Sequence, residues 1–465
     1  MSNQPTITQL AEQFMQNAVA LRQIASGLAQ IAKAMESGTL SGISAATGAG
    51  AAPTDQQMPD VLRDRQMLNT VQMSDKLAEL SNELKLLAAP EMAALSRYAL
   101  PVTALERKSA PDAPTLHDVF ALFAPYLPAD LISVGALAGL RNLLDQLPAD
   151  LSRSLLLEHR LKDDEPQVDV SVLIDPTLDQ GRDLLAGELP PSVRDHWAWG
   201  RVQKFCAAWR DPDSPLFAAL ESCWLEFDVP IPADVNAAVP ETFVPSPFFR
   251  LKDASGEQAA AVIEAGLALL KPEAGSGAQV DRCLAQLPEG GKVRWAGVML
   301  SRAEHRVRLC LDLPPSTIKP YLLGLGWVGN EEQLDLLVTG FTKLTDLMVL
   351  AIELTADGLL PAIGFECRYK FNRQPEIEPR WRWLTETLVK AQLCTAEKAA
   401  ALLRWNGLHY RESAHWSLPQ VLVRNQSHIK LQFDPGVAVT AKAYLSCNLR
   451  DFKAARRPAM LGLRK

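Results

Sequence analysis

Apolar and polar side chains alternate one for one along Ser427–Cys447, SHIKLQFDPGVAVTAKAYLSC. Ile429, Leu431 and Phe433 fall on one side and His428, Lys430 and Gln432 on the other, as the period of two along a strand requires. In the second run Val439, Ala441, Ala443 and Leu445 oppose Thr440, Lys442, Tyr444 and Ser446. Between them Asp434-Pro435-Gly436 predicts a turn, because Pro fixes one φ and Gly accepts a positive one. The stretch therefore predicts a hairpin with one oily face and one carrying Lys, Tyr and Gln.

The same unit recurs four times upstream. Ser154–Leu161 pairs with Val168–Ile174, Cys223–Asp228 with Pro247–Lys252, Val293–Arg302 with Arg306–Leu313, and Leu347–Leu354 with Ala362–Lys370. Ala303-Glu304-His305 turns the third pair, and Asp357-Gly358 is a strong hairpin signal in the fourth. Helical spacing fills the intervals: Leu178 to about Trp209, then Val262, Ile263, Leu267 and Leu270 in a helix opened by Ser255 with Gln258 three residues on. A short helix with Ile318, Tyr321 and Leu322 comes next, then one opened by Asn330, and finally Trp381–Leu403.

Five hairpins interleaved with helices imply about ten strands, each pair covered by helices on its oily side. The polar sides are charged: Asp169 and Ser171, Glu226 and Asp228, Arg306, Arg308 and Asp312, Glu353, then Glu366 and Arg368. If helices cover the outside, these positions line the inside of a closed sheet wide enough to hold a ligand. An open sheet with its polar face in water gives the same pattern, but closure also removes unpaired edges. The predicted fold is thus α+β, a closed antiparallel barrel of repeated αββα units ringed by helices, with an N-terminal helical segment.

That segment carries heptads. Ile7, Leu10, Phe14, Asn17, Leu21, Ile24, Leu28, Ile31 and Met35 step by threes and fours, and Met73, Leu77, Leu80, Leu84 and Leu87 repeat the pattern. The chain divides into a heptad helix (1–36), a Gly/Ser/Ala-rich flexible linker (37–60), a second heptad helix (61–90), a helical lead-in (91–150) and the barrel domain (151–465). Residues 7–35 and 73–87 are expected either to join a second copy or a partner protein as a coiled coil, or to fold back on the main domain.

Composition narrows the function. A net charge of −7 argues against a general nucleic-acid binder. Seven scattered cysteines without a C-x-x-C pair suit reduced, buried thiols and no zinc site. No run is long and apolar enough to span a bilayer, and MSNQPTITQ is not a signal pattern, so a cytoplasmic protein is expected.

The segments KVRWAGVMLSRAEHRVRLCLDLPPSTIKPYL, DLMVLAIELTADGLLPAIGFECRYK and HIKLQFDPGVAVTAKAYL, with the order of strands and helices around them, resemble the ABBA-type aromatic prenyltransferases, most of all the branch that prenylates ribosomally made peptides. The likeness covers about the last 310 residues as architecture, with no diagnostic motif. It implies a ten-stranded barrel holding an isoprenoid diphosphate on inward Lys, Arg and Tyr side chains. A peptide or small aromatic acceptor then takes the prenyl group, with a carboxylate assisting the nucleophile. A leaving diphosphate needs cationic donors, and a developing carbocation needs π-faces and no water.

On this chain the resemblance selects Arg308, Arg368, Lys430, Lys442 and Tyr444 for the diphosphate. It selects Glu226 and Glu353 as catalytic carboxylates, mid-strand where burial raises a pKa. Of the six tyrosines only Tyr444 reads as inward, which leaves the cation thinly shielded. The same charges could instead neutralise one another across a polar interior. The competing reading is a non-catalytic scaffold that binds a precursor peptide of a natural-product pathway and assembles through the N-terminal helices. No cofactor is fixed by the sequence, and a Mg²⁺ ion accompanying the diphosphate stays open. Asp163-Asp164-Glu165 lacks metal-diphosphate spacing, and the seven histidines lack ligand spacing, so no metal site is assigned. Gly324-Leu325-Gly326 reads as a turn, and Trp381 and Trp383 beside Arg380 and Arg382 as a helix packing on the barrel.

Overall fold

Ten strands pair edge to edge in a closed ring in the computed structural model, which describes residues 114–162, 168–187, 193, 195–229, 243–252, 256–302, 304–411, 420–434 and 439–451. They are β1 (Ser154–Arg160), β2 (Val168–Ile174), β3 (Leu220–Phe227), β4 (Ser246–Leu251), β5 (Lys292–Val298), β6 (Val307–Asp312), β7 (Leu347–Thr355), β8 (Gly358–Arg368), β10 (Gln420–Phe433) and β11 (Thr440–Asp451). A short strand, β9 (Gly407–Arg411), precedes β10 and is not one of the ten. Neighbours in the chain are neighbours in the ring, every pair is antiparallel, and β11 returns to β1 to close it. This is the αββα barrel that the resemblance implies. Of the two units into which the chain divides, the larger, Arg107–Gly407 with Arg411–Lys465, carries all ten strands. The heptads at 7–35 and 73–87, Asp163-Asp164-Glu165, Ser255 and Pro435-Gly436 lie outside the described residues.

Helices fill the intervals between hairpins. α1 (Leu116–Ala121) and α2 (Val134–Leu144) precede β1, and α3 (Gly181–Ala186), α4 (Trp197–Arg210) and α5 (Pro215–Ala219) join β2 to β3. Next come α6 (Gly256–Leu270) and α7 (Ser276–Ala285), α8 (Pro315–Gly324) and α9 (Glu331–Thr342), and α10 (Arg380–Lys390) and α11 (Ala396–Arg404). Asn330 caps α9 by accepting from the Gln333 N–H at 2.9 Å. The stretch predicted as one helix over Trp381–Leu403 is two. Gln392 takes a left-handed φ of 59° while the Leu393 N–H reaches back to the Leu388 carbonyl at 2.9 Å, which ends α10. Thr395 then caps α11. Leu178–Trp209 likewise resolves into α3 and α4.

The outward strand faces and the helices share one hydrophobic core, running through Leu155, Val170, Leu225, Phe249, Leu309, Leu350, Phe365, Leu431 and Leu445. Buried indoles lock helices and loops onto it by donating to backbone carbonyls: Trp199 to Phe243 at 3.0 Å, Trp381 to Arg373 at 2.8 Å, Trp405 to Asn425 at 3.2 Å. His159 faces this core, and since its Nδ1 lies 3.0 Å from the Leu131 carbonyl, that nitrogen is the N–H donor. Burial lowers its pKa to about 4, so it is a neutral structural group. All seven cysteines are buried.

Several strands depart from the sequence expectation, and β3 and β8 begin early, at Leu220 and Gly358. β5 ends at Val298 rather than Arg302, because the Leu300 N–H turns back to the Val298 carbonyl at 3.0 Å. β10 starts at Gln420, ahead of the expected hairpin, and its register slips between Gln426 and His428. The slip reverses which residues face out. Arg424 stacks outward on Tyr126 and Trp405, Gln426 donates to the Leu402 carbonyl, and beyond the bulge His428, Lys430 and Gln432 face in. Simple alternation stops at that point.

Candidate active site in the barrel lumen

Inside the ring the side chains sort into an ionic tier and an apolar tier. Trp295, Cys310, Val349 and Ala351 form an apolar cluster of their own, separate from the outer core. Phe248 stands opposite Trp224 and Gly297 in register, which puts it on the same inner face. Tyr444 was the tyrosine expected to face inward, and Trp224, Phe248 and Trp295 share its side of the wall, so aromatic rings line it more thickly than expected. Trp224 and Phe248 follow the parity of Glu226 and Arg250 along β3 and β4, a signal that was present in the sequence, whereas the bulge before Trp295 on β5 breaks the alternation there.

Arg308 on β6 anchors the ionic tier. Its Nη2 and Nε donate to Glu353 Oε1 at 2.6 and 3.2 Å, and its Nη1 reaches across the lumen to Glu226 Oε2 at 3.3 Å. Its guanidinium carbon lies 5.3 Å from the centre of the Phe248 ring. Burial opposes the charge, but Glu353 and Glu226 outweigh it and hold Arg308 protonated.

The two catalytic candidates consequently diverge. Burial raises the Glu226 carboxyl to about 7, with Arg308 and Lys430 only partly offsetting it. At Glu353 burial acts the same way, yet Arg308, followed by Lys430 and Arg306, overrides it and brings the carboxyl down to about 2. Burial was expected to raise both. At Glu353 it does not, because Glu353 is the register partner of Arg308 and takes two of its hydrogen bonds.

On the far wall Glu158 of β1 accepts from both Lys442 Nζ and the Tyr444 hydroxyl. Burial opposes ionisation there too, but Lys442 and Lys430 carry the Glu158 carboxyl down to about 2. The Tyr444 phenol is pushed well above its ordinary range by burial and by Glu158, so it stays protonated and donates. Glu158 was not among the candidates. The apolar run Ser154–Leu157 hides its parity, since both barrel faces are apolar at that level.

His428 was also read as ordinary, yet it lies flat on Tyr444 with ring centroids 4.1 Å apart and planes at 13°. Ser427 Oγ meets its Nδ1 at 2.9 Å, and burial keeps the ring neutral. Its Nε2 is 3.9 Å from Glu366 Oε2. Arg368 donates to that same oxygen at 2.6 Å and stands apart from the cavity walls described next.

Lys430 differs from every other inward cation. Only 8% exposed, it faces Lys442 directly across β10–β11 and makes no hydrogen bond or ion pair with any of the described residues. A cavity of about 410 Å³ opens beside it. Its walls hold Arg160, Arg302, Arg306, Arg308, Lys430 and Lys442 against only two carboxylates, Glu353 and Asp434. A smaller recess of about 50 Å³ shares part of that wall and adds the carboxylates Glu158, Asp169, Glu226 and Asp228, with Ser171, Ser246 and Tyr444. The larger space can take an anion, and the smaller one offers a carboxyl group poised near neutrality. Among the described residues no group of three or more His, Cys, Asp and Glu is placed to hold a metal ion. No helix among them is long and apolar enough to cross a membrane.

No family model and no curated protein sequence matches this chain. Among solved structures it is similar to the apo form of prenyltransferase PriB, at 16% identity and a TM-score of 0.46, over 72% of this chain and 96% of that one. PriB in a binary complex with product diphosphate matches over the same shares at 15% identity and a TM-score of 0.45. PriB in a ternary complex with L-tryptophan and dimethylallyl thiolodiphosphate matches at 14% identity and a TM-score of 0.45.

Proposed function

We propose that this chain transfers an isoprenyl group from an isoprenoid diphosphate to a peptide or small aromatic acceptor inside the barrel. The observation that supports this reading is Lys430, a largely buried side chain with no hydrogen bond or ion pair among the described residues, in a cavity lined by five further cations. A buried charge is tolerated when a partner arrives to pair it, and a diphosphate is a partner of the right sign.

In the proposed reaction the allylic carbon–oxygen bond breaks and its electron pair leaves on the diphosphate. Lys430, Lys442 and Arg308 take up that charge, and Arg160 and Arg306 line the same space. Phe248, Trp295 and Tyr444 supply the aromatic faces for the cation left behind. An electron pair of the acceptor forms the new bond to the allylic carbon, and the proton it sheds goes to Glu226, whose carboxyl near 7 suits a base at neutral pH. Glu353 acts as a positioning residue, fixing the Arg308 guanidinium by hydrogen bonds from its Nε and Nη2. Arg368, held by Glu366, is left out of the proposed diphosphate set.

The test is to incubate the protein with dimethylallyl diphosphate and a panel of tryptophan- and tyrosine-containing peptides, following acceptor mass and diphosphate release. A mass gain of one isoprenyl unit that disappears in Glu226→Gln supports the reading. Ligand binding without any transfer across the panel favours a binding protein over an enzyme.

A further inference from the structure

We infer that Gly364 is a positioning residue for the anion site: its missing side chain is what allows Lys430 to turn its ammonium to the cavity with no hydrogen-bonded partner among the described residues. This rests on the function proposed above. Gly364 lies on the inner face of β8, opposite Gln432 of β10 and Ala351 of β7, and it lines the larger cavity. A Cβ built on Gly364 would stand 2.8 Å from Lys430 Cε, closer than real contacts allow. Its next neighbours, Ala351 Cβ at 3.4 Å and the Leu431 carbonyl at 3.7 Å, are at ordinary contact distance. Lys430 pairs in register with Glu366, so its stem leans one step along β8 to lie over the glycine.

The chemistry of the site depends on that lean. Glu366 is already held by Arg368, and Glu158 by Lys442 and Tyr444, so these carboxylates are engaged elsewhere. With its stem over Gly364, Lys430 stays clear of direct pairing and keeps its charge for a ligand. A methyl at 364 displaces the far end of a flexible side chain and leaves the backbone alone. Gly364 has no left-handed φ, so Ala there brings no backbone strain. Gly297 shows the contrast. A Cβ there would meet the Pro247 carbonyl at 2.3 Å, so Gly297 serves the close approach of β4 to β5 and its substitution strikes the wall itself.

The experiment compares wild type, Gly364→Ala, Lys430→Ala and the double variant by calorimetric titration with inorganic pyrophosphate, with thermal melting as the fold control. Gly364→Ala is expected to melt like wild type and to bind pyrophosphate about tenfold or more weakly, as loss of one charge-assisted hydrogen bond implies. In the Lys430→Ala background it is expected to add nothing further. Wild-type affinity in Gly364→Ala, or an equal loss in both backgrounds, overturns the inference. A crystal structure of Gly364→Ala reads the same point without any ligand: a displaced Lys430 is expected, and an unmoved Lys430 overturns it. If wild type itself binds no pyrophosphate, the proposed function fails while the crystal structure still decides the role of Gly364.

Discussion

Lys430 and Lys442 stand directly opposite each other in the β10–β11 register, two ammonium-bearing side chains on the same inward face. Like charges so placed repel. Lys442 is relieved by Glu158, whereas Lys430 has no direct partner among the described residues. An anion that completes the pair should therefore stabilise the fold through binding. Pyrophosphate is expected to raise the melting temperature of the wild type by several degrees and that of Lys430→Met hardly at all, as read by differential scanning fluorimetry. The rise should shrink with added salt, because part of the attraction is screened.

Glu226 sets the pH response. Its folded pKa of about 7 lies above the ordinary carboxyl value of 4.5, so the folded state holds this proton more tightly than the unfolded one. Its contribution to stability therefore falls as pH rises from about 4.5 through about 7. In the proposed role of base Glu226 acts only once deprotonated, so turnover should rise across the upper part of that window. Glu226→Gln should flatten the profile and lower the rate by about a hundredfold or more. Chemical denaturation and initial rates between pH 4 and 9 check both halves.

Glu158 behaves in the opposite sense. Its folded pKa of about 2 lies below the ordinary carboxyl value of 4.5, so it contributes stability above that value, lost as pH falls towards 2. Glu158→Gln leaves Lys442 without its carboxylate and is expected to cost on the order of 3 kcal/mol at neutral pH. Urea titrations should show the gap to wild type closing as the buffer is acidified through that window.

Tyr444 combines a hydroxyl that donates to Glu158 with a ring stacked on His428. If the ring faces the allylic cation, Tyr444→Phe keeps most of the turnover and Tyr444→Leu loses about tenfold, the scale of one cation–π contact. Equal losses in the two variants would instead assign the effect to the hydroxyl. Single-turnover rates separate these outcomes.

Much of the architecture could be read from period-two alternation, because every barrel strand has one face against helices and one against a polar lumen. The boundary of β7 at Leu347 and both ends of β2 follow directly from that contrast. It fails where the two faces match or slip. Around Leu156 both are apolar, which concealed Glu158. At Ser427 a bulge shifts parity, which hid the first half of β10. Trp224 and Phe248 shared the parity of charged inward neighbours yet went unnoticed, and the bulge before Trp295 hid its side altogether. The contact of Arg308 with Glu226, three strands away in the ring, depends on closure. No local pattern states that contact, and with it goes the divergence of the Glu226 and Glu353 pKa values.

The most direct measurement is calorimetric titration of dimethylallyl thiodiphosphate, a non-reacting mimic of the donor, into wild type, Lys430→Ala and Arg308→Ala. Saturable binding to the wild type, weakened about tenfold or more in each variant, is the expected result. An absence of heat at millimolar ligand, or affinity unchanged when Lys430 is removed, would contradict a diphosphate site in this lumen.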